Sequence, residues 1–458
     1  MPARHRRQNG GRGVRNGTIL AGLTGLALLA GCSESEPILP GERLGLREVL
    51  EDGAGDPYDY APPENRAAPA NLPAAVSNGT WAQSAVSPAF RTNHAALSLP
   101  LAPLWSADIG AGDGRKVRLN VDPVSDGARI YTMSSDFIVT ATAANGAAVW
   151  SLPLVPARDG DGQAQGGGLA VSDGVLYVSS GFGMLTALDA ATGQVRWQED
   201  LDATATGAPT VSGGLVYITA GDTTGWAIEA DTGRERWQVE GLADDLNNVA
   251  GAPAPALGAD RVVFAYGSGA LQSTFQQGGL SLWSADLAGR RVGRALSTVD
   301  DISGDPFIAE GTVYAGSHSG RMAALDLFSG ARDWTINTGA VDAPWAVGGS
   351  VYFVSDLSEL VRVDAATGER VWAVQLPGWV PSRRPERRRD RAFANHGPIL
   401  AGGHLIVASS DGFLRAFDPV DGALRVQTEV PGGATTRPIV VNGVLYVVSR
   451  KGRLHAFR

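Results

Sequence analysis

Cysteine is almost absent: the chain has one in 458 residues, Cys32. A lone thiol excludes an intrachain disulfide framework and any pair of adjacent cysteines. The six histidines (His5, His94, His318, His396, His404 and His455) have no metal-type spacing, and no GxSxG nucleophile motif occurs. Carboxylates are plentiful, so a pair brought together only in three dimensions stays open. The one marked apolar run, residues 18–30, is too short to span a bilayer comfortably. Positive charge is also in deficit, with a formal net charge of −9. Such a surface argues against binding nucleic acid, whose affinity comes largely from neutralised phosphates.

What is present begins with a leader. Residues 1–17 are polar and Arg-rich, and TILAGLTGLALLA at 18–30 has the shape of a secretory signal. Leu29-Ala30-Gly31-Cys32 then resembles the lipobox of bacterial lipoproteins, in which the thiol is acylated and becomes the new N-terminus. Several acyl chains on Cys32 anchor a protein to a membrane surface without spanning it. Ser33 follows, not the Asp that favours inner-membrane retention in enterobacterial lipoproteins, so the outer membrane is expected. Removing residues 1–31 takes away five arginines and no acid, moving the charge from −9 to −14. Residues 33–100 are rich in Pro, Ala and acids with no sustained period, the composition of a tether. Trp81 and the apolar residues near Leu97 are expected to touch the folded body. The organisation read here is a signal peptide at 1–31, the lipidated Cys32 with its tether over 32–100, and a folded domain over 101–458.

That domain is built from repeats, and repeats decide a fold before local propensity does. Residues 188–197 read LDAATGQVRW, and the pattern recurs as IEADTGRERW (228–237), LDLFSGARDW (325–334) and VDAATGERVW (363–372). Weaker copies are ATAANGAAVW (141–150), FDPVDGALRV (417–426) and, weakest, SADLAGRRVG (284–293). Each reads as a strand, a tight turn ending in Gly, and a strand carrying Trp; the Gly is expected where the turn needs positive φ. The seven turn glycines are thus Gly146, Gly193, Gly233, Gly289, Gly330, Gly368 and Gly422, with Trp four residues on in five of them. A second motif, a Gly loop and then a strand with a bulky residue, places Tyr131, Tyr177, Tyr217, Phe264, Tyr314, Tyr352, Ile406 and Tyr446 at intervals of 38 to 54 residues. Eight such units predict an all-β, eight-bladed propeller. The last unit stops one strand short, and the strand around Trp105 completes it, closing the ring by pairing the two ends of the domain. The tryptophans read as pegs between blades, and the Asp of LDAATG as a turn cap instead of a catalytic acid.

The LDAxTGxxxW repeat resembles the PQQ-type propeller repeat, within which two families compete. Quinoprotein alcohol dehydrogenases hold their quinone with adjacent cysteines, a Trp platform and calcium carboxylates; the cysteine pair is impossible here. The chain is more similar to the BamB family, lipoproteins of the outer-membrane β-barrel assembly machinery, in its lipobox, tether and eight blades, and in ILPGER at 38–43. That resemblance implies a non-enzymatic scaffold without cofactor or metal. It would be lipid-anchored at the periplasmic face of the outer membrane, a monomer within a hetero-complex, docked on the periplasmic POTRA domains of BamA. The family's docking loops correspond to residues 244–252, with Leu246, Asn247 and Asn248, and 299–306. In the second loop Asp301 matches one of the family's paired acids, and Ser303 stands where the other would be. The competing functions are a PQQ-dependent dehydrogenase and a glycan-binding propeller. Residues 379–396 insert six arginines (Arg383, Arg384, Arg387, Arg388, Arg389 and Arg391), a solvated run by default and otherwise a grip for an acidic partner or lipid headgroups.

Overall fold

A computed structural model describes residues 64–83, 93–160, 162–221, 223–241, 252–287, 289, 299, 301–382 and 391–458. Cys32 and five of the six arginines of the 379–396 insertion lie outside this set. Among the described residues there is no helix, and thirty-two strands form eight four-stranded antiparallel sheets. Blades 1 to 7 occupy residues 124–153, 167–200, 210–240, 256–286, 307–336, 345–375 and 395–429. Blade 8 takes three strands from 439–457 and its fourth, Pro103–Asp108, from the front of the domain. The ring is therefore the expected eight-bladed propeller, sealed by its two ends.

The order of each blade follows from burial. Lettered A to D in chain order, the A strands of successive blades approach one another, which puts them at the axis. Strand B is apolar on both faces: VLYVSS at Val175–Ser180 is buried throughout, as a sheet sandwiched between two others requires. Strand D alternates exposed and half-buried residues, as in VRWQED at Val195–Asp200, because its edge faces solvent.

The C–D turns explain the repeat. Asp189 Oδ1 accepts hydrogen bonds from the Ala191 and Thr192 amides (3.1 and 3.0 Å), and Gly193 closes the turn at φ +76°. Asp189 is a cap, as read. Next to the glycine lies the Trp of the preceding blade: a Cβ at Gly193 would stand 2.7 Å from Trp150 Cδ2. The indole of Trp150 donates to Ala190 O (3.1 Å), within the same turn. Glycine is thus required twice, for its φ and for the ring pressed against it. The same peg links Trp105 to Gly146, Trp197 to Gly233, Trp334 to Gly368 and Trp372 to Gly422.

One copy of the repeat sits elsewhere than expected. The turn of blade 4 is at Gly279 (φ +65°), not Gly289, and its Trp is Trp283, four residues on. Trp237 packs on Gly279 and Trp283 on Gly330. The stretch 284–293 misled because FQQGG lacks the Asp cap, whereas SADLAG carries an Asp and a Gly that belong to the end of strand Ser281–Asp286 and the loop beyond it. Six of the seven turn glycines are therefore followed by Trp; only Val426 departs. Its place accounts for it. A blade 7 peg would insert at the C–D turn of blade 8, but that blade's strand D arrives from the other end of the domain and there is no such turn. The seam is held by strand pairing instead, including reciprocal bonds between Ala102 and Arg458 (2.8 Å each).

Residues 65–83 form a strap over the end of the propeller that carries the A–B turns. Asn65 exchanges hydrogen bonds with Ala373 of blade 6 (2.8 and 3.0 Å), Asn78 with blade 8 (Val440 O, 3.0 Å), Trp81 with Ser125 of blade 1 (2.9 and 2.7 Å) and Gln83 with Val211 of blade 3 (3.0 and 2.6 Å). Arg362, only 3% exposed, fastens the strap by donating to Ala68 O (2.7 Å) and Pro69 O (2.6 Å). Trp81 stacks on Trp345 at the inner strand of blade 6 (6.4 Å between centroids). Leu97 packs on the body as well.

Candidate functional site

The axis is closed by charge. Arg437, at the entry to the inner strand of blade 8, pairs with Asp122 of blade 1 (2.5 Å), Asp305 of blade 5 (2.6 Å) and Asp342 of blade 6 (3.4 Å). Each carboxylate is held from a further side. Asp122 accepts from the Arg437 amide (2.9 Å), Asp305 from the Ala254 amide of the blade 3–4 connection (2.8 Å) and Asp342 from Gly397 of blade 7 (2.8 Å). One guanidinium thereby joins elements of six blades. Burial alone would lower the pKa of Arg437, but its three carboxylates hold it well above the ordinary value. Burial pushes Asp342 up, and the pull of Arg437 offsets only part of that.

On the strap side of this hub Trp81 and Trp345 plug the axis, leaving a void of about 20 Å³ beside Arg437. On the other side a cavity of about 490 Å³ opens. Its wall includes the four acids Asp122, Asp305, Asp342 and Asp356, with Ser303, His318, Asn395 and His396. In an antiparallel meander the B–C turns and the D–A connections share one end, opposite the A–B turns. The mouth, bordered by Ser358, Ala392 and Ala252, is therefore at the end opposite the strap. The described ends of the blade 3–4, 4–5 and 6–7 connections (Gly241 and Ala252, Leu287 and Asp301, Leu376 and Ala392) lie at the same end.

Of the docking residues expected from sequence, Leu246, Asn247 and Asn248 lie outside the described residues. Asp301 is buried, 3% exposed, and its carbonyl accepts from the His318 amide (2.9 Å). Ser303 is half-buried on the cavity wall; its hydroxyl meets His318 Nε2 at 2.6 Å and Val341 O at 3.3 Å. Burial lowers the pKa of His318, and Asp356 partly opposes this, so the imidazole is neutral at pH 7. Of the six arginines in the 379–396 insertion only Arg391 is described, and it is exposed.

The hub itself was not read from sequence. A signal was there: three of its four residues stand immediately before the proline that precedes an inner strand, as Asp122-Pro123, Asp305-Pro306 and Arg437-Pro438, and the fourth, Asp342, stands two before Pro344. Among the described residues no group of three or more Asp, Glu, His or Cys is arranged to hold a metal ion.

The family described as "Outer membrane protein assembly factor BamB" matches residues 135–374 and 379–458. The protein of that name from Escherichia coli (strain K12) is 31% identical over 358 residues, covering 77% of this chain and 87% of the relative. Its counterpart from Yersinia pestis is 24% identical, covering 77% and 88%. Among solved structures, BamB from Moraxella catarrhalis superposes with a TM-score of 0.62 at 20% identity, over 78% of this chain and all of that one. A quinohemoprotein alcohol dehydrogenase from Comamonas testosteroni reaches the same TM-score at 17% identity, over 83% of this chain and 80% of that one. At such identities the likeness speaks for the propeller alone.

Proposed function

Because the chain belongs to the BamB family of outer membrane protein assembly factors, we propose that it serves outer-membrane protein assembly as a scaffold without chemistry of its own. In this reading Cys32 carries the lipid that holds it to the periplasmic face of the outer membrane. The propeller docks on the POTRA domains of BamA through the connections around the cavity mouth, with Leu246, Asn247, Asn248 and Ser303 in or next to the contact. The observation that carries the reading is placement. Gly241 and Ala252, which flank the first segment, and the described part of the second, Asp301 to Asp305, lie at one end of the ring, and the strap is pinned across the other. A partner can occupy the first end without displacing the chain that leads to the anchor.

Calorimetric titration of the whole chain with the periplasmic region of the cognate BamA tests this. Binding at micromolar concentration, weakened by Asn247→Arg with the melting temperature unchanged, is the expected result. No heat at that concentration refutes it.

The dehydrogenase reading rests on shape alone. Pyrroloquinoline quinone is a polyanion, and the axial cavity offers it four carboxylates around one arginine that is already paired three times. The residues present do not fit the cofactor. Adding it with calcium should leave the visible spectrum of the protein a simple sum of its parts.

A further inference from the structure

The B–C turns share a second device besides their place in the meander. Among the described residues, in seven of the eight blades a residue near the start of this turn donates its amide to the connection that enters the blade, as His318 does to Asp301 O (2.9 Å) and Asp356 to Gly339 O (3.2 Å). In four of these blades the side chain adds a further bond to the same connection. Ser135, Asp356 and Ser410 each use a main-chain atom: Gly112 O (2.5 Å), Gly339 N (2.9 Å) and Ala394 N (2.8 Å). Any sequence supplies such an atom. Of the four, only His318 takes a side chain, its Nε2 meeting Ser303 Oγ at 2.6 Å.

The connection gripped in this way is the second of the two segments assigned to docking. Its other residues are fixed by burial or by close approach. Ile302 is wholly buried in the core between blades 4 and 5. Gly304 lies so near the next connection that a Cβ would stand 2.6 Å from the Asp342 carbonyl carbon. Asp305 is held by the Ala254 amide and by Arg437. Ser303 stands between these points, half-buried at the cavity wall, and its hydroxyl reaches across to Val341 O of the connection between blades 5 and 6 (3.3 Å). The imidazole therefore fixes the one residue of this stretch that both borders the mouth and ties two connections together.

We propose that His318 is a positioning residue for partner docking: it holds Ser303, and with it the edge formed by the connections into blades 5 and 6, in its docking conformation before the partner arrives. This rests on the docking reading given above. An edge that is already ordered loses less conformational freedom on association, so affinity is gained without a new contact. Without the imidazole, the partner itself would have to order Ser303.

The full chain, His318→Ala, Ser303→Ala and the double variant are titrated calorimetrically with the periplasmic region of the cognate BamA. Each single substitution should weaken binding about tenfold with the melting temperature unchanged. The double variant should bind no more weakly than the weaker single one, because both remove the same bond. His318→Gln, whose amide nitrogen stands close to where Nε2 was, should recover most of the affinity. Additive losses would mean that the two side chains meet the partner separately, and full affinity in His318→Ala would mean that the edge is ordered without it; either overturns the proposal. If His318→Ala melts early, Ser303→Ala and His318→Gln decide in its place. A second measurement is made on the isolated protein. Amide hydrogen exchange over residues 301–305 should speed up in His318→Ala, and unchanged exchange overturns the proposal even where docking stands. No binding by the unaltered chain refutes the docking reading itself, and the proposed role falls with it, whatever the exchange shows of the clasp.

Discussion

Two glycines of blade 2 differ in one respect only, which makes them a test of the peg. Gly174, in the A–B turn, has φ +75° and open space where a Cβ would go; Gly193, in the C–D turn, has φ +76° and Trp150 at 2.7 Å. Alanine pays the left-handed backbone penalty at either place, about 1–2 kcal/mol. At Gly193 the new methyl also meets the Cδ2 and Cε3 atoms of an indole fixed by its bond to Ala190 O, so the overpacking cost of about 1–3 kcal/mol is added. Gly193→Ala should therefore lower stability by about 2–5 kcal/mol and Gly174→Ala by only the first part. The assay is urea denaturation followed by far-UV circular dichroism, with the midpoint read at constant m-value. The double-mutant cycle decides. In a Trp150→Ala background the two glycine substitutions should cost the same, giving a coupling of about 1–3 kcal/mol between Gly193 and Trp150. Equal costs in the wild-type background, or no coupling, would refute the peg as the reason for glycine in the repeat.

The hub and the docking segment give two more expectations. Arg437→Met leaves Asp122, Asp305 and Asp342 without their cation and should cost about 3–5 kcal/mol near neutral pH. The folded-state pKa of Asp342 is already raised by burial, so the folded protein holds its proton more tightly than the unfolded chain does. Its contribution is complete below the unfolded pKa and is lost as pH rises through the folded one. The variant's deficit should accordingly be smaller at pH 4.5 than at pH 7.5, and a deficit that does not narrow on acidification would show that the carboxylates are not its cause. Asp301→Lys, which as an exposed docking acid would weaken a partner complex alone, is here the charge reversal of a residue only 3% exposed. It should lower the melting temperature of the isolated protein by several degrees, and an unchanged melting temperature would mean that the side chain reaches solvent.

Much of this molecule was legible before it had coordinates, for a physical reason. A ring of identical sheets must solve one packing problem eight times, so the residues that solve it repeat at a readable interval: Tyr177 in a buried B strand, Asp189 capping a turn, Gly193 under an indole. The blade count and the closure by the Trp105 strand follow from that periodicity. Blade 4 was misread because its turn uses Gln276 and Gln277 where the others place a capped turn; Gln276 O still receives the Trp237 indole (3.0 Å), a backbone service that no side chain advertises. The axial site was illegible for the opposite reason. Arg437, Asp122 and Asp305 stand before a proline where other blades carry Ala208, Ala254, Ala343 or Gly397, Asp342 stands one residue earlier, and so mixed a set leaves no period. Asp301 shows a further limit, since an acid in a loop reads as solvated until the loop is seen folded inward.

The seam shows how these two kinds of information meet. Seven turns need seven pegs, and the eighth peg position is occupied by Val426 because the eighth turn does not exist. The blade that lacks this indole latch is compensated elsewhere. Strand Pro103–Asp108 pairs with Arg453–Phe457, and the strap bonds blade 8 through Asn78 before it reaches blades 1 and 3. Arg437 supplies the third tie, from blade 8 across the axis to blades 1, 5 and 6. The weakest joint of the ring is therefore bridged at its rim, across one end and at its centre. The single features of this chain are placed where repetition fails.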